Sequence, residues 1–229
     1  MPRRWARGLA ALATMLLLAT ACSAQAVATE KQVRETSDPV PAGSVAAFYG
    51  DSLTMGLGAT SPEQRWASLL SARRGWTEVN PSIPGLGFVQ ARGGLDLPAQ
   101  IVEARPDVVF VTLGINDLWL VESDGASVET AIASDLERLR AGVPDARILV
   151  FALFSPLAAE PPQATVMNGW LRASAAQVGA TFVTKSSHWL VDRREWTVDG
   201  IHFNDAGNAA IADLMDAELR RLFGPSPAP

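Results

Sequence analysis

Six consecutive residues, Val108-Val109-Phe110-Val111-Thr112-Leu113, are β-prone and offer apolar side chains to both faces of a strand. An antiparallel strand with one face in water alternates polar and apolar residues, whereas a run without alternation needs cover above and below. A central parallel strand sandwiched between helices meets that need. The run ends in a polar turn, Gly114-Ile115-Asn116-Asp117. A second apolar run, Val45 to Tyr49, stops at Gly50-Asp51-Ser52-Leu53 and so leaves a serine at a strand's carboxyl end. In open α/β sheets that edge is where ligands bind. The plainer alternative at this point is a strand-to-helix turn in which Ser52 or Thr54 caps the next helix.

The remaining segments alternate between the two periods. Ser61-Pro62-Glu63-Gln64 has the pattern of a capped helix start, followed by Trp66, Leu69, Leu70 and Arg73 at helical spacing and a stop at Gly75. Trp76 to Val79 is a short strand, 81–87 a loop, and Leu95 to Ala104 a helix. Val128, Ile132, Leu136 and Leu139 mark another helix, with Gly142 and Pro144 beyond its end. A fourth strand follows at Ile148 to Phe154, a helix at Ala164 to Val178, and a fifth, shorter strand at Thr181 to Thr184. A loop over 185–199 precedes the last helix, Ala206 to Phe223. Such alternation implies a parallel sheet with helices on both faces, and it gathers the turns at Ser52, Gly85, Asn116 and His202 on one edge.

The first 21 residues read differently. Arg3, Arg4 and Arg7 precede an uncharged apolar run, Gly8 to Ala21, which has the form of a signal peptide. Two processing readings stay open. Leu18-Ala19-Thr20-Ala21-Cys22 resembles a lipobox, which would make Cys22 a lipidated N-terminus; Ala24-Gln25-Ala26 offers ordinary cleavage instead. Cys22 is the single cysteine of the 229-residue chain, so it has no disulfide partner within it. Residues 22–43 read as a lipid-anchor cysteine and flexible tether, and 225–229 as a disordered tail. Removal of residues 1–21 takes away three arginines and no acids, moving the formal charge from −5 to −8. An acidic chain without a basic stripe is a poor partner for nucleic acid.

A serine hydroxyl is a weak nucleophile and needs a neighbouring base. The chain has two histidines, His188 and His202, and only His202 has a carboxylate, Asp199, three residues earlier. That spacing lets the carboxylate reach Nδ1 and hold the tautomer a base requires. His188 reads as a loop residue. Donors for an oxyanion could come from the Ser52 amide, a loop glycine and the Asn116 side chain. Gly85 and Gly87 both lie in that loop. Asp51 reads as a hydrogen-bonding support for its own turn. Ser52 lacks a G-x-S-x-G elbow, and two histidines with one cysteine offer no metal cluster.

In order, the chain carries Gly50-Asp51-Ser52-Leu53, Gly85, Gly114-x-Asn116-Asp117 and Asp199-Gly200-Ile201-His202. With these blocks it resembles the SGNH hydrolases, also called GDSL esterases and lipases, over nearly all of Ser44 to Phe223. The resemblance implies a three-layer, flavodoxin-like α/β/α domain over 44–224 with a roughly five-stranded parallel sheet. It also implies ester hydrolysis through an acyl-serine: Ser52 as nucleophile, His202 as base, Asp199 orienting it, and Ser52, Gly85 and Asn116 around the oxyanion. Ser82 stands where the family often has a glycine.

The expectation is therefore an exported, monomeric esterase for short- to medium-chain esters, free of metal and cofactor, held by lipid at a membrane's outer face or else secreted. Leu118, Trp119 and Leu120 after the Asn116 turn, with Trp189 and Trp196 before Asp199, are expected to wall its pocket. The rivals are a carbohydrate deacetylase, an acyltransferase and a catalytically idle binding module on the same fold.

Overall fold

The computed structural model describes residues 38–154 and 160–225. The signal-peptide and Cys22 readings, the tether reading up to residue 37 and the tail reading from residue 226 lie outside these residues. Five strands, β1 (Val45–Gly50), β2 (Thr77–Val79), β3 (Val108–Thr112), β4 (Arg147–Phe151) and β5 (Thr181–Val183), pair in parallel in the order β2-β1-β3-β4-β5. The helices are α1 (Ser52–Met55), α2 (Trp66–Arg74), α3 (Leu97–Glu103), α4 (Val121–Gly142), α5 (Pro162–Gln177) and α6 (Asp205–Phe223). The order is flavodoxin-like, and it reverses between β1 and β3, so the crevice of the sheet opens between Ser52 and Asn116.

The pleat divides the core. Ala47, Tyr49, Val109, Val111, Ile148 and Val150 point to one face and pack under α3, α4 and α5. Ala46, Phe48, Val108, Phe110, Leu149 and Phe151 point to the other and pack under α2 and α6. β3 is buried along its whole length, as its unbroken apolar run requires. On the α2/α6 face, Phe48 stacks on Phe110 at 4.9 Å and Phe110 on Phe151 at 6.0 Å, forming an aromatic row across the central strands.

Local departures have local causes. The span 61–73 is not one helix: Pro62–Gln64 is a 3-10 turn in which Ser61 makes no capping bond, and Arg65 is extended before α2 starts. β4 ends at Phe151 rather than Phe154, because Ala152 bonds to Val183 O and Leu153 N is drawn to Asn168 Oδ1. The end of the span read as a tether packs on the domain: Val40 is buried, the Trp76 indole donates to Pro41 O, and Gly43 N donates to Gly75 O. Among the described residues no helix is long and apolar enough to cross a membrane.

Candidate active site

The chain leaves β1 through Gly50, where a Cβ would sit 2.2 Å from Thr54 Oγ1 and 2.8 Å from Thr112 Oγ1. Only glycine permits that approach, which lets Thr54 and Thr112 share a 2.6 Å hydrogen bond tying α1 to β3. Asp51, neither Ser52 nor Thr54, caps α1: its Oδ1 accepts from Leu53 N at 3.0 Å. Ser52 is therefore left free at the first helical position. Its amide precedes any intrahelical acceptor. Burial pushes the Asp51 carboxyl up to about 7.

The loop after β2 carries Gly85, with φ +75° and an open α-carbon. Among the described residues nothing accepts from its amide. Gly87 is different: its amide donates to Gln90 O, and a Cβ there would lie 2.2 Å from the Asp117 carboxylate. The geometry thus separates the two glycines and leaves Gly85 as the open donor. Asp117 is buried and receives the amides of Phe88, Val89 and Gln90 at 2.5, 3.2 and 2.8 Å. On its other side the loop is gripped by Arg92, whose Nε donates to Gly87 O and Phe88 O and whose guanidinium meets Tyr49 and Asp135. Asn116 sits on a 3-10 turn, Ile115–Leu120, and its amide donates to Leu86 O at 2.8 Å and Asp51 Oδ2 at 3.3 Å.

The opposite wall is a tight hairpin. Thr197 and Phe203 form an antiparallel bridge, and Val198 N donates to His202 O. Asp199 works with both oxygens. Oδ1 accepts from Ile201 N at 3.0 Å and His202 N at 2.8 Å, while Oδ2 lies 2.7 Å from His202 Nδ1. The imidazole first, and these amides after it, hold the Asp199 carboxyl at about 2. His202 Nε2 is 2.9 Å from Ser52 Oγ, which brings together residues 150 positions apart. His188 is exposed at the end of a different 3-10 turn, Thr184–His188. Serine, imidazole and carboxylate in line, with amide donors beside the serine, can transfer a proton from Oγ and stabilise an oxyanion.

A groove of about 350 Å³ is lined by Leu53, Ile115 and Ile201, the chain neighbours of Ser52, Asn116 and His202, and by Leu118, Leu153, Phe154, Pro161, Ala164, Leu190 and Gly200. Only Leu118 of the expected wall residues lines it. A 3-10 turn has three residues per turn, so Leu118, Trp119 and Leu120 face three directions. Trp119 is 64% exposed beside a neighbouring cleft with Glu122, Pro161 and Gln163, and Leu120 joins the core. Trp189 instead stacks on Phe154 at 6.0 Å, and Trp196 packs against the same core. Leu153 and Phe154 were missed as lining because a fully apolar strand end looks the same whether it closes a core or opens a groove, and Leu190 because a lone leucine in a loop carries no sign of what it meets. Among the described residues no cluster of histidine, cysteine and acidic side chains could hold a metal ion.

Residues 48–210 match the GDSL-like Lipase/Acylhydrolase family. A GDSL lipase of Mycobacterium tuberculosis is 31% identical over 181 residues, covering 74% of this chain and 78% of that protein. The crystal structure of TesA superposes with a TM-score of 0.62 at 27% identity, over 78% of this chain and 99% of that one. The esterase EstA from Pseudoalteromonas sp. shares the fold, with a TM-score of 0.62 at 19% identity over 78% and 97% of the two chains. The matched segment takes in Ser52, Asn116 and His202, and by it the chain belongs to the GDSL-like lipase/acylhydrolase family.

Proposed function

We propose that this hydrolase is an exported serine esterase that cleaves short- to medium-chain carboxylic esters through an acyl-serine. The observation that carries the reading is the line Ser52 Oγ to His202 Nε2 at 2.9 Å and His202 Nδ1 to Asp199 Oδ2 at 2.7 Å. His202 takes the Oγ proton as Oγ bonds to the ester carbon. The carbonyl electrons move onto oxygen, to which the Ser52 and Gly85 amides donate and the Asn116 side chain turns the N–H that otherwise rests on Asp51 Oδ2 at 3.3 Å. Collapse expels the alcohol, which leaves with the proton from Nε2. Water then attacks the acyl-serine by the same route, giving the acid and free Ser52. Asp199 stays ionised throughout and holds the imidazole in the tautomer with Nε2 unprotonated.

The groove walled by Leu53, Leu153, Phe154 and Leu190 is suited to the acyl chain. Each methylene it binds is worth on the order of 1–3 kcal/mol at most, so the chain-length preference is graded. The exposed Trp119 indole, with Glu122 and Gln163 beside it, favours a second reading, that the alcohol is a sugar and the enzyme a carbohydrate deacetylase. A series of aryl esters from acetyl to octanoyl, run beside acetylated sugars with Ser52→Ala as control, tests both. Turnover of aryl esters lost in Ser52→Ala supports the esterase; turnover confined to acetylated sugars moves the assignment to the second reading. Appreciable turnover in Ser52→Ala would sink the acyl-serine mechanism.

Export is part of the proposal. It rests on Arg3, Arg4 and Arg7 before the apolar run to Ala21, with Cys22 as the site of lipid. Cys22→Ser should release the protein or leave an uncleaved precursor. A wild-type protein found soluble and beginning at Val27 would replace the lipid anchor with simple secretion.

A further inference from the structure

Ser52 and His202 ride on different parts of the fold, and the 2.9 Å bond between them is the one that chemistry disturbs. Such a bond contributes a net of about 1 kcal/mol and does not by itself fix a distance between two loops. Behind it runs a second connection through two fully buried side chains. The residue after Ser52, Leu53, gives its carbonyl to Trp66 Nε1 at 3.0 Å. The Trp66 amide donates to Asn208 Oδ1 at 3.0 Å. The Asn208 side-chain amide donates at 3.0 Å to the carbonyl of Phe203, the residue after His202, and at 3.1 Å to Asn204 O. Both Trp66 and Asn208 are 0% exposed.

We propose that Trp66 and Asn208 form a positioning strut that holds the Ser52 turn and the His202 hairpin at reacting distance. The strut rests on the catalytic roles given above to Ser52 and His202. Its parts have no local substitute. Arg65 offers no side-chain cap to α2, so the Trp66 amide, an orphan of the helix start, finds its acceptor on α6. Asn208 lies in the first turns of α6, whose own cap is Asn204, bonded to Gly207 N at 2.9 Å. Its amide can therefore reach back to the two carbonyls that lead out of the hairpin. Phe203 anchors the same joint, fully buried and edge-on to Phe154 at 6.2 Å. A displacement of about 1 Å between reacting groups can cost about 10²-fold in rate. Two buried hydrogen-bonding side chains in series are what keep these loops from taking that displacement.

The test uses Trp66→Phe, which removes the indole N–H together with the ring atoms around it, Asn208→Ala, and the double variant, each assayed on an aryl acetate well below its midpoint of unfolding. Each single variant should lower kcat about tenfold or more with KM within about twofold. Because the links act in series, the double variant should be no slower than the slower single one. The 15N resonances of the His202 imidazole should shift in all three, with or without turnover. If kcat per folded molecule stays within about twofold of wild type, or the imidazole resonances do not move, the strut is overturned and the two residues only support packing. A wild-type protein whose ester turnover is unaffected by Ser52→Ala would instead sink the catalytic assignment, and the resonances would still report on the strut.

Discussion

The two walls of the site are built on opposite plans. The strand-end wall, Asp51 to Asn116 and Asp117, is made of contacts between distant segments and stands on two buried carboxylates; the Asp199–His202 wall is one hairpin with an exposed carboxylate. Their carboxylates show the difference. Asp51 and Asp117 are held above the ordinary carboxylate range because burial penalises their charge. Asp199, with its side chain 49% exposed, is held below it by the imidazole and amides of its own turn. In the proposed reaction the strand-end wall supplies donors that stay still, and the hairpin wall carries the group that takes and returns a proton. One residue type serves both jobs because environment, not identity, sets its charge.

The sharpest way to break this contrast is at Asp199. Its Oδ1 is committed to two backbone amides, so in Asp199→Asn the amide oxygen should keep that place and turn its NH2 toward Nδ1. His202 would then carry its proton on Nε2, where it cannot accept from Ser52. We expect Asp199→Asn to lose about 10³–10⁴-fold in kcat and to fall below Asp199→Ala, which leaves the tautomer free. Equal rates in the two variants would show that the local turn does not dictate the tautomer.

On the strand-end wall, Asn116→Ala should cost about 10²–10³-fold in kcat with little change in KM, as expected for a donor used only in the transition state. A rise in KM without loss of kcat would make Asn116 a ground-state contact.

Asp117 tests the stillness of that wall. Asp117→Ala strands three amides, each costing about 1–3 kcal/mol, so the midpoint of thermal unfolding should fall markedly. Asp117→Asn keeps an oxygen for Val89 and Gln90 and should fall less. Equal losses would mean that the charge, rather than the acceptors, holds the loop.

The smallest effect is the pH dependence of stability. Asp51 stands at about 7 in the folded chain against an ordinary 3.8, so between those values the folded state keeps a proton that the unfolded state has released. Its contribution to stability is full below about 4 and declines as pH rises to about 7. Asp199, at about 2, runs the other way and loses its contribution as pH falls from about 4 toward 2. Thermal midpoints of Asp51→Asn should show a flatter profile from about pH 4 to 7 than wild type. An unchanged slope there would remove Asp51 as its source.

The sequence by itself determined the parallel sheet, because an apolar run such as Val108 to Leu113 admits no solvated face. It determined the pairing of Asp199 with His202 as well, since three residues on one turn keep the partners together however the chain folds. Ser52, Gly85 and Asn116 were legible as strand-end residues, each marked by a polar break after an apolar run. What required the tertiary structure were the partners that no local pattern announces. The cap of α2 comes from Asn208 on α6, not from Ser61. Arg92 and Asp117 grip the Gly85 loop from two sides. The groove takes its wall from Leu153, Phe154 and Leu190, while Trp189 and Trp196, half-buried, pack against the core. An apolar or amide side chain carries no sign of which distant surface it will meet, and only closure of the sheet and its two helical layers brings those surfaces together.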